Sequence, residues 1–169
     1  MKLSPELEVA FNNQVTLEFE ASMVYRQLAI ELDSRDLPGM GAWLRHQADE
    51  EIVHANKFID HLIDRDNHAQ IGKINSPQLD VSTPLDAFKA AYAHEQRVSE
   101  AIRSLYRTTE EAGDLDSRPL LNWFLNEQIE EEATVSEIVA QLELVGEDGP
   151  GLLRVDAELA SRPTGTTEA

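Results

Sequence analysis

Cysteine is absent from the 169-residue chain. That excludes disulfides and every thiolate metal site, so any bound metal must be held by oxygen and nitrogen. Basic residues are scarce: 14 Lys and Arg stand against 32 Asp and Glu, for a formal net charge of −18. Such a field repels nucleic acid and anionic membrane surfaces and draws in cations. No apolar run is long enough to span a bilayer, and no basic segment leads into an apolar one at the start. Membrane insertion and secretion are therefore unsupported, and the cytoplasm is the expected compartment. Strand-type alternation is missing as well. What is present is 41% apolar residues, enough for one packed core and too many for a disordered acidic tail.

Turn-forming residues gather in a few places: "DLPGMG" (36–41), "IGKINSPQLDVSTP" (71–84), "AGDLDSRP" (112–119) and "GEDGPG" (146–151). Between them lie four long segments, about 5–35, 42–67, 84–112 and 119–145, and a short fifth at about 150–160. Ser4-Pro5 and Thr83-Pro84 read as N-caps followed by proline at the first helical position. Each long segment carries an apolar seam spaced by three and four residues. The seams are Leu7, Phe11, Gln14, Glu18, Ala21, Tyr25, Leu28, Leu32; then Leu44, Ala48, Glu51, Ala55, Phe58, Leu62. They continue with Phe88, Ala91, Glu95, Val98, Ile102, Leu105; then Leu121, Phe124, Gln128, Glu131, Val135, Ile138, Leu142, Val145. The fold class is therefore all-α, a four-helix bundle with a short fifth C-terminal helix. Tight turns make helices 1 and 2 one antiparallel hairpin and helices 3 and 4 another. The segment between helices 2 and 3 is long enough to run back along the bundle, so those two helices are parallel. One domain is expected over 1–161, with a polar tail at 162–169.

Every seam is interrupted by polar residues. Gln14, Glu18, Glu51, Glu95, Gln128 and Glu131 stand where leucine belongs, and no Lys or Arg falls on any seam. A buried carboxylate must be neutralised or paired, and a cation from solvent is the economical partner. Glu18 to Glu51 and Glu95 to Gln128 are both steps of 33 residues, and the two pairs are offset by 77. Two hairpins about a pseudo-twofold axis bring these groups to one level. His54, three residues after Glu51, leans the same way. Carboxylates with one imidazole and no sulfur suit iron or manganese better than structural zinc. A lone Glu-x-x-His is commonly helix surface; four interrupted seams with matched spacing are harder to explain that way. Tyr25 shares the seam of Glu18, as a core aromatic whose hydroxyl needs a partner or as a hydrogen-bonding or electron-donating neighbour of the site. Trp43 and Trp123 are expected to serve packing, and His46, His61, His68 and His94 to face solvent.

The stretches "TLEFEASMVY" (16–25), "ADEEIVHA" (48–55), "HEQ" (94–96) and "NEQIEEE" (126–132) together resemble the ferritins, in particular the haem-free bacterial type, over residues 5–160. The resemblance implies a ferritin-like bundle that stores iron and oxidises Fe(II), with O2 or H2O2 as oxidant. It also implies self-association into a hollow shell of roughly 24 subunits that collects ferric mineral. By position, Glu18, Glu51 and His54 resemble the first iron site, and Glu51, Glu95 and Gln128 the second. Glu50, Glu127, Glu130 and Glu131 resemble a third, and Tyr25 the tyrosine beside the ferroxidase centre. The haem-binding relatives repeat Glu-x-x-His in helix 4 and carry methionine after the first such glutamate. Here Gln128-x-x-Glu131 and Ile52 stand at those positions, so no haem is expected. Animal ferritins line an iron inlet with two acidic residues at positions matching Leu121 and Arg118, which leaves Glu111, Asp114 and Asp116 as nearby substitutes. A rubrerythrin-like peroxidase would want a second Glu-x-x-His and a cysteine-bound iron. The mini-ferritins share ligands across a subunit interface and lack the fifth helix. A non-enzymatic acidic scaffold would leave the seam glutamates unexplained.

Overall fold

In a computed structural model, which describes residues 1–162, five helices account for about three-quarters of the described chain. They are α1 (Pro5–Asp33), α2 (Pro38–Asp64), α3 (Pro84–Glu111), α4 (Arg118–Val145) and α5 (Gly149–Ser161). Apart from Arg162, the tail expected at 162–169 lies outside the described residues. Ser4 accepts the Leu7 N–H, and Thr83 forms a reciprocal capping box with Asp86, as their sequence positions imply. Gly146 ends α4 at φ 56°, a positive value that glycine adopts without a Cβ clash.

The crossover climbs alongside α1. Asn12 holds His68 and Gln70, Thr16 holds Gly72, and Arg35 reaches Val81. The chain thereby returns from the end of α2 to the level where α2 began, so α2 and α3 run parallel. All seam positions are buried except Val145, which is half-buried at the last turn of α4. The apolar core is nonetheless divided. One cluster, around Leu28, Met40, Trp43, Phe88 and Leu142, fills one end of the bundle, and Val155 and Leu159 of α5 close it. The other, around Phe11, Phe58, Ile102 and Phe124, fills the opposite end, with Phe58 and Phe124 stacked 4.2 Å apart. The polar seam residues lie between them.

The start of α2 differs from the sequence expectation of about 42. Pro38, Gly39 and Gly41, read as chain breakers, form its first turn. Proline at the first helical position needs no N–H partner. Gly39 is required by close approach: an added Cβ would lie 2.0 Å from the Asp156 backbone carbonyl oxygen. Leu37 provides no side-chain cap. The cap comes from α5, where the buried Asp156 carboxylate accepts the Met40 N–H at 2.8 Å.

Replacing Asp156 with alanine removes that cap and is expected to cost about 1 kcal/mol, within a range of roughly 0.5–2. Gly39→Ala drives α5 off α2 and is expected to cost about 1–3 kcal/mol. Because both act on one contact, the double variant should lose less than the sum in guanidinium denaturation. Additive losses would count against the shared contact.

Candidate metal centre

The two hairpins deliver carboxylates to one level from all four long helices: Glu18 from α1, Glu51 from α2, Glu95 from α3 and Glu131 from α4. Each is a seam residue because its helical phase points inward, and each is at most 7% exposed. Ligating atoms of Glu18, Glu51 and His54 lie within 4.8 Å of one another, as do those of His54, Glu127 and Glu131. His54 is thus the shared corner of two candidate metal groups. Its Nδ1 lies 3.3 Å from Glu51 Oε2, and the edges of Trp123 and Phe124 flank the ring.

Hydrogen bonds fix the remaining groups. The Tyr25 hydroxyl donates a short bond to Glu95 Oε1. Gln128 Nε2 donates to Glu95 Oε2 at 3.1 Å and to Ser99 Oγ at 3.2 Å. Gln14 Nε2 donates to Glu18 Oε1 at 2.7 Å, and Gln47 Nε2 to Glu131 Oε2 at 2.9 Å. Glu18 Oε2 is buried and receives no hydrogen bond. An orphaned carboxylate oxygen among three other carboxylates is an acceptor waiting for a cation.

The electrostatics agree. Burial drives the Glu51 carboxyl well above the ordinary range, and the neighbouring Glu95 charge pushes it further. Glu131 is pushed well above it by burial and then by Glu95 and Glu50. Burial also raises Glu18, against opposing pulls from His54 and the Gln14 hydrogen bond. It raises Glu95 although Tyr25 and Gln128 donate to that group. The Tyr25 phenol is held well above its usual range by burial and the Glu95 charge, so it stays a donor. The cluster therefore retains protons that a divalent cation would displace.

The structure thus gathers Glu18, Glu51, His54, Glu95, Gln128, Glu131 and Tyr25. Glu50 and Glu127 are half-buried beside Glu131, whereas Glu130 is exposed and belongs to neither metal group. Gln47 and Ser99 were not singled out by sequence. Their signal is spacing, since Gln47 stands four residues before Glu51 and Ser99 four after Glu95, on the same helix faces. Three histidines are less solvated than expected. His94 is buried, and that burial together with the Arg97 charge lowers its pKa to about 4. His61 packs on Phe11 and pairs with Ser117, and His46 lies 3.3 Å from Glu50. Around the α3–α4 turn, Leu121 is buried, Arg118 pairs with Glu110, and Asp114 is held by Arg65 at 2.8 Å. Only Glu111 and Asp116 of the three suggested substitutes stay exposed.

Four long helices around a buried carboxylate–imidazole cluster, closed at one end by a short fifth, define a metal-binding helical bundle. A Ferritin-like domain matches residues 8–145, and the chain belongs to the ferritin family. It is 32% identical to the bacterial non-heme ferritin of Escherichia coli O6:H1 over 162 residues, 96% of this chain and 98% of that one. It is 34% identical to the bacterial non-heme ferritin of Staphylococcus epidermidis over 160 residues, 95% of this chain and 96% of that one. Among solved structures, an open-pore ferritin from the hyperthermophilic archaeon Archaeoglobus fulgidus superposes with a TM-score of 0.93 at 34% identity, covering 95% of this chain and 98% of that one. Among the described residues, no helix is long and apolar enough to cross a membrane.

A carboxyl whose pKa rises on folding binds more protons when folded. Its stabilisation is complete below the unfolded value of 4.5 and is lost as pH climbs through the raised folded value. Metal-stripped Glu51→Gln should therefore melt above the wild type at pH 7.5, by about 2–4 °C per kcal/mol relieved. The gain should shrink at pH 5, and a divalent cation should stabilise only the wild type. Calorimetry showing the same difference at both pH values would contradict this origin.

Proposed function

We propose that this chain is a haem-free ferritin that oxidises Fe(II) to Fe(III) at a two-iron centre inside each subunit and stores the ferric product in a hollow shell of roughly 24 copies. The observation that carries the reading is the buried Glu18–Glu51–His54 group, whose atoms lie within 4.8 Å of one another and whose Glu18 Oε2 lacks a donor. Glu18 and His54 hold one ferrous ion, Glu95 and Gln128 the second, and Glu51 bridges them. Glu50, Glu127 and Glu131 form a further iron site, with Glu130 at its exposed margin. Each ferrous ion loses one electron. Dioxygen takes the pair with two protons to become hydrogen peroxide, or hydrogen peroxide takes it with two protons to become two waters. Carboxylates favour the harder ferric state. Tyr25 keeps Glu95 oriented through its hydroxyl.

The two positions hold iron unequally. One offers an imidazole and carboxylates, while the other offers a neutral amide from Gln128 in place of a charged group. We read this as a centre that releases iron to storage, in contrast to one that keeps both metals as a fixed cofactor. The His54–Glu127–Glu131 group supports an outward path, since it shares its imidazole with the first group. An acidic scaffold leaves Glu18 Oε2 without a partner. A mini-ferritin would draw its ligands from two subunits, whereas here one chain supplies the whole set.

The test is anaerobic ferrous titration followed by air. Wild-type protein should oxidise iron faster than buffer, and His54→Ala or Glu18→Ala should cut the initial rate at least about tenfold. Unchanged rates in both variants would overturn the site, and a monomeric mass on size exclusion would overturn the shell.

A further inference from the structure

The central cluster is flanked by two faces of opposite character. The α2–α4 face carries Glu50, Glu127 and Glu131. Across the bundle, between α1 and α3, lies a groove of about 250 Å³ bordered by Ala10, Asn13, Gln14, Ala101, Ser104 and Thr108. None of its lining side chains is ionisable. Gln14 belongs to both the groove and the centre: it lines the groove, is 4% exposed, and donates to Glu18 Oε1 at 2.7 Å. One neutral side chain therefore stands between the groove and a site carboxylate, the one whose second oxygen has no donor.

We propose that this groove is the approach of the uncharged oxidant, dioxygen or hydrogen peroxide, with Gln14 as its inner wall, and that ferrous ions arrive from the acidic α2–α4 face. The inference rests on the ferroxidase reading above. A divalent cation entering a groove without counter-charge would lose hydration and gain no ion pair. An uncharged oxidant pays no such penalty and gains nothing from the acidic field. Ala10 and Ala101 leave the groove open, and Asn13, Ser104 and Thr108 can hydrogen-bond peroxide. Separate approaches keep the oxidant from competing with iron for one path.

The experiment fills the groove from α3 without touching the cluster, using Ala101→Leu and, separately, Ser104→Phe at an exposed position. Stopped-flow oxidation is followed with varied dioxygen, and in an anaerobic arm with varied hydrogen peroxide. The second-order constant for the oxidant is expected to fall about tenfold, while anaerobic ferrous binding keeps its wild-type stoichiometry and affinity. Slowing in one arm alone supports the groove and names the oxidant it admits. If both variants keep the wild-type oxidant dependence, or lose ferrous binding instead, the groove is not the oxidant's approach. A wild type no faster than buffer removes the ferroxidase reading and this inference with it, whereas an active wild type with unslowed variants removes this inference alone.

Discussion

Like charge confined in a medium that cannot solvate it is the constraint on which the rest of this molecule depends. Glu18, Glu51, Glu95 and Glu131 arrive from four helices at one level, and burial lifts all four carboxyls above their ordinary range. No Lys or Arg stands on any of the four seams. The amides of Gln14, Gln47 and Gln128 and the Tyr25 hydroxyl donate hydrogen bonds that orient the oxygens without neutralising them. Orientation without neutralisation leaves the carboxylates free to bind positive charge. A lysine at any of these places would stabilise the empty bundle and occupy the position meant for a cation.

The apolar architecture serves that arrangement. Two separate clusters grip the bundle at its ends and hold the four helices in phase, so that the polar level between them need not contribute to packing. Buried aromatic residues stand on either side, with Phe58 and Phe124 stacked in one cluster and Trp43 against Phe88 in the other. Removing a carboxylate therefore relieves the middle of the bundle while leaving its ends intact, which makes substitutions at the site readable as chemistry more than as unfolding.

Much of this was legible in the sequence. Every position on the four seams except Val145 is buried, although buried residues such as Val15, Trp43 and Ser99 lie beside the seams. The matched 33-residue steps anticipated that Glu95 and Gln128 would meet, and they are bonded at 3.1 Å. What the sequence could not disclose are contacts between elements. Gly39 looked like a breaker because its value lies in the Asp156 carbonyl facing it from α5. His94 looked solvated because its burial comes from α1 and the crossover. Asp114 looked available because its Arg65 partner lies 49 residues away. Gln47 escaped notice because it stands beside the seam that passes through Leu44, Ala48 and Glu51, and its partner Glu131 sits on another helix. Periodicity reports which face is covered and is silent about what covers it.

The cap that Asp156 places on Met40 links the far end of the chain to the start of α2. The same helix carries Glu51 and His54 further along, so the axial position and rotation of that rod are set partly by α5. Ending the chain ahead of residue 156 would leave every metal-facing side chain in place by sequence while unfastening the support that aims two of them. In this protein the aim of the buried carboxylate–imidazole cluster extends to a helix that contributes no side chain to it.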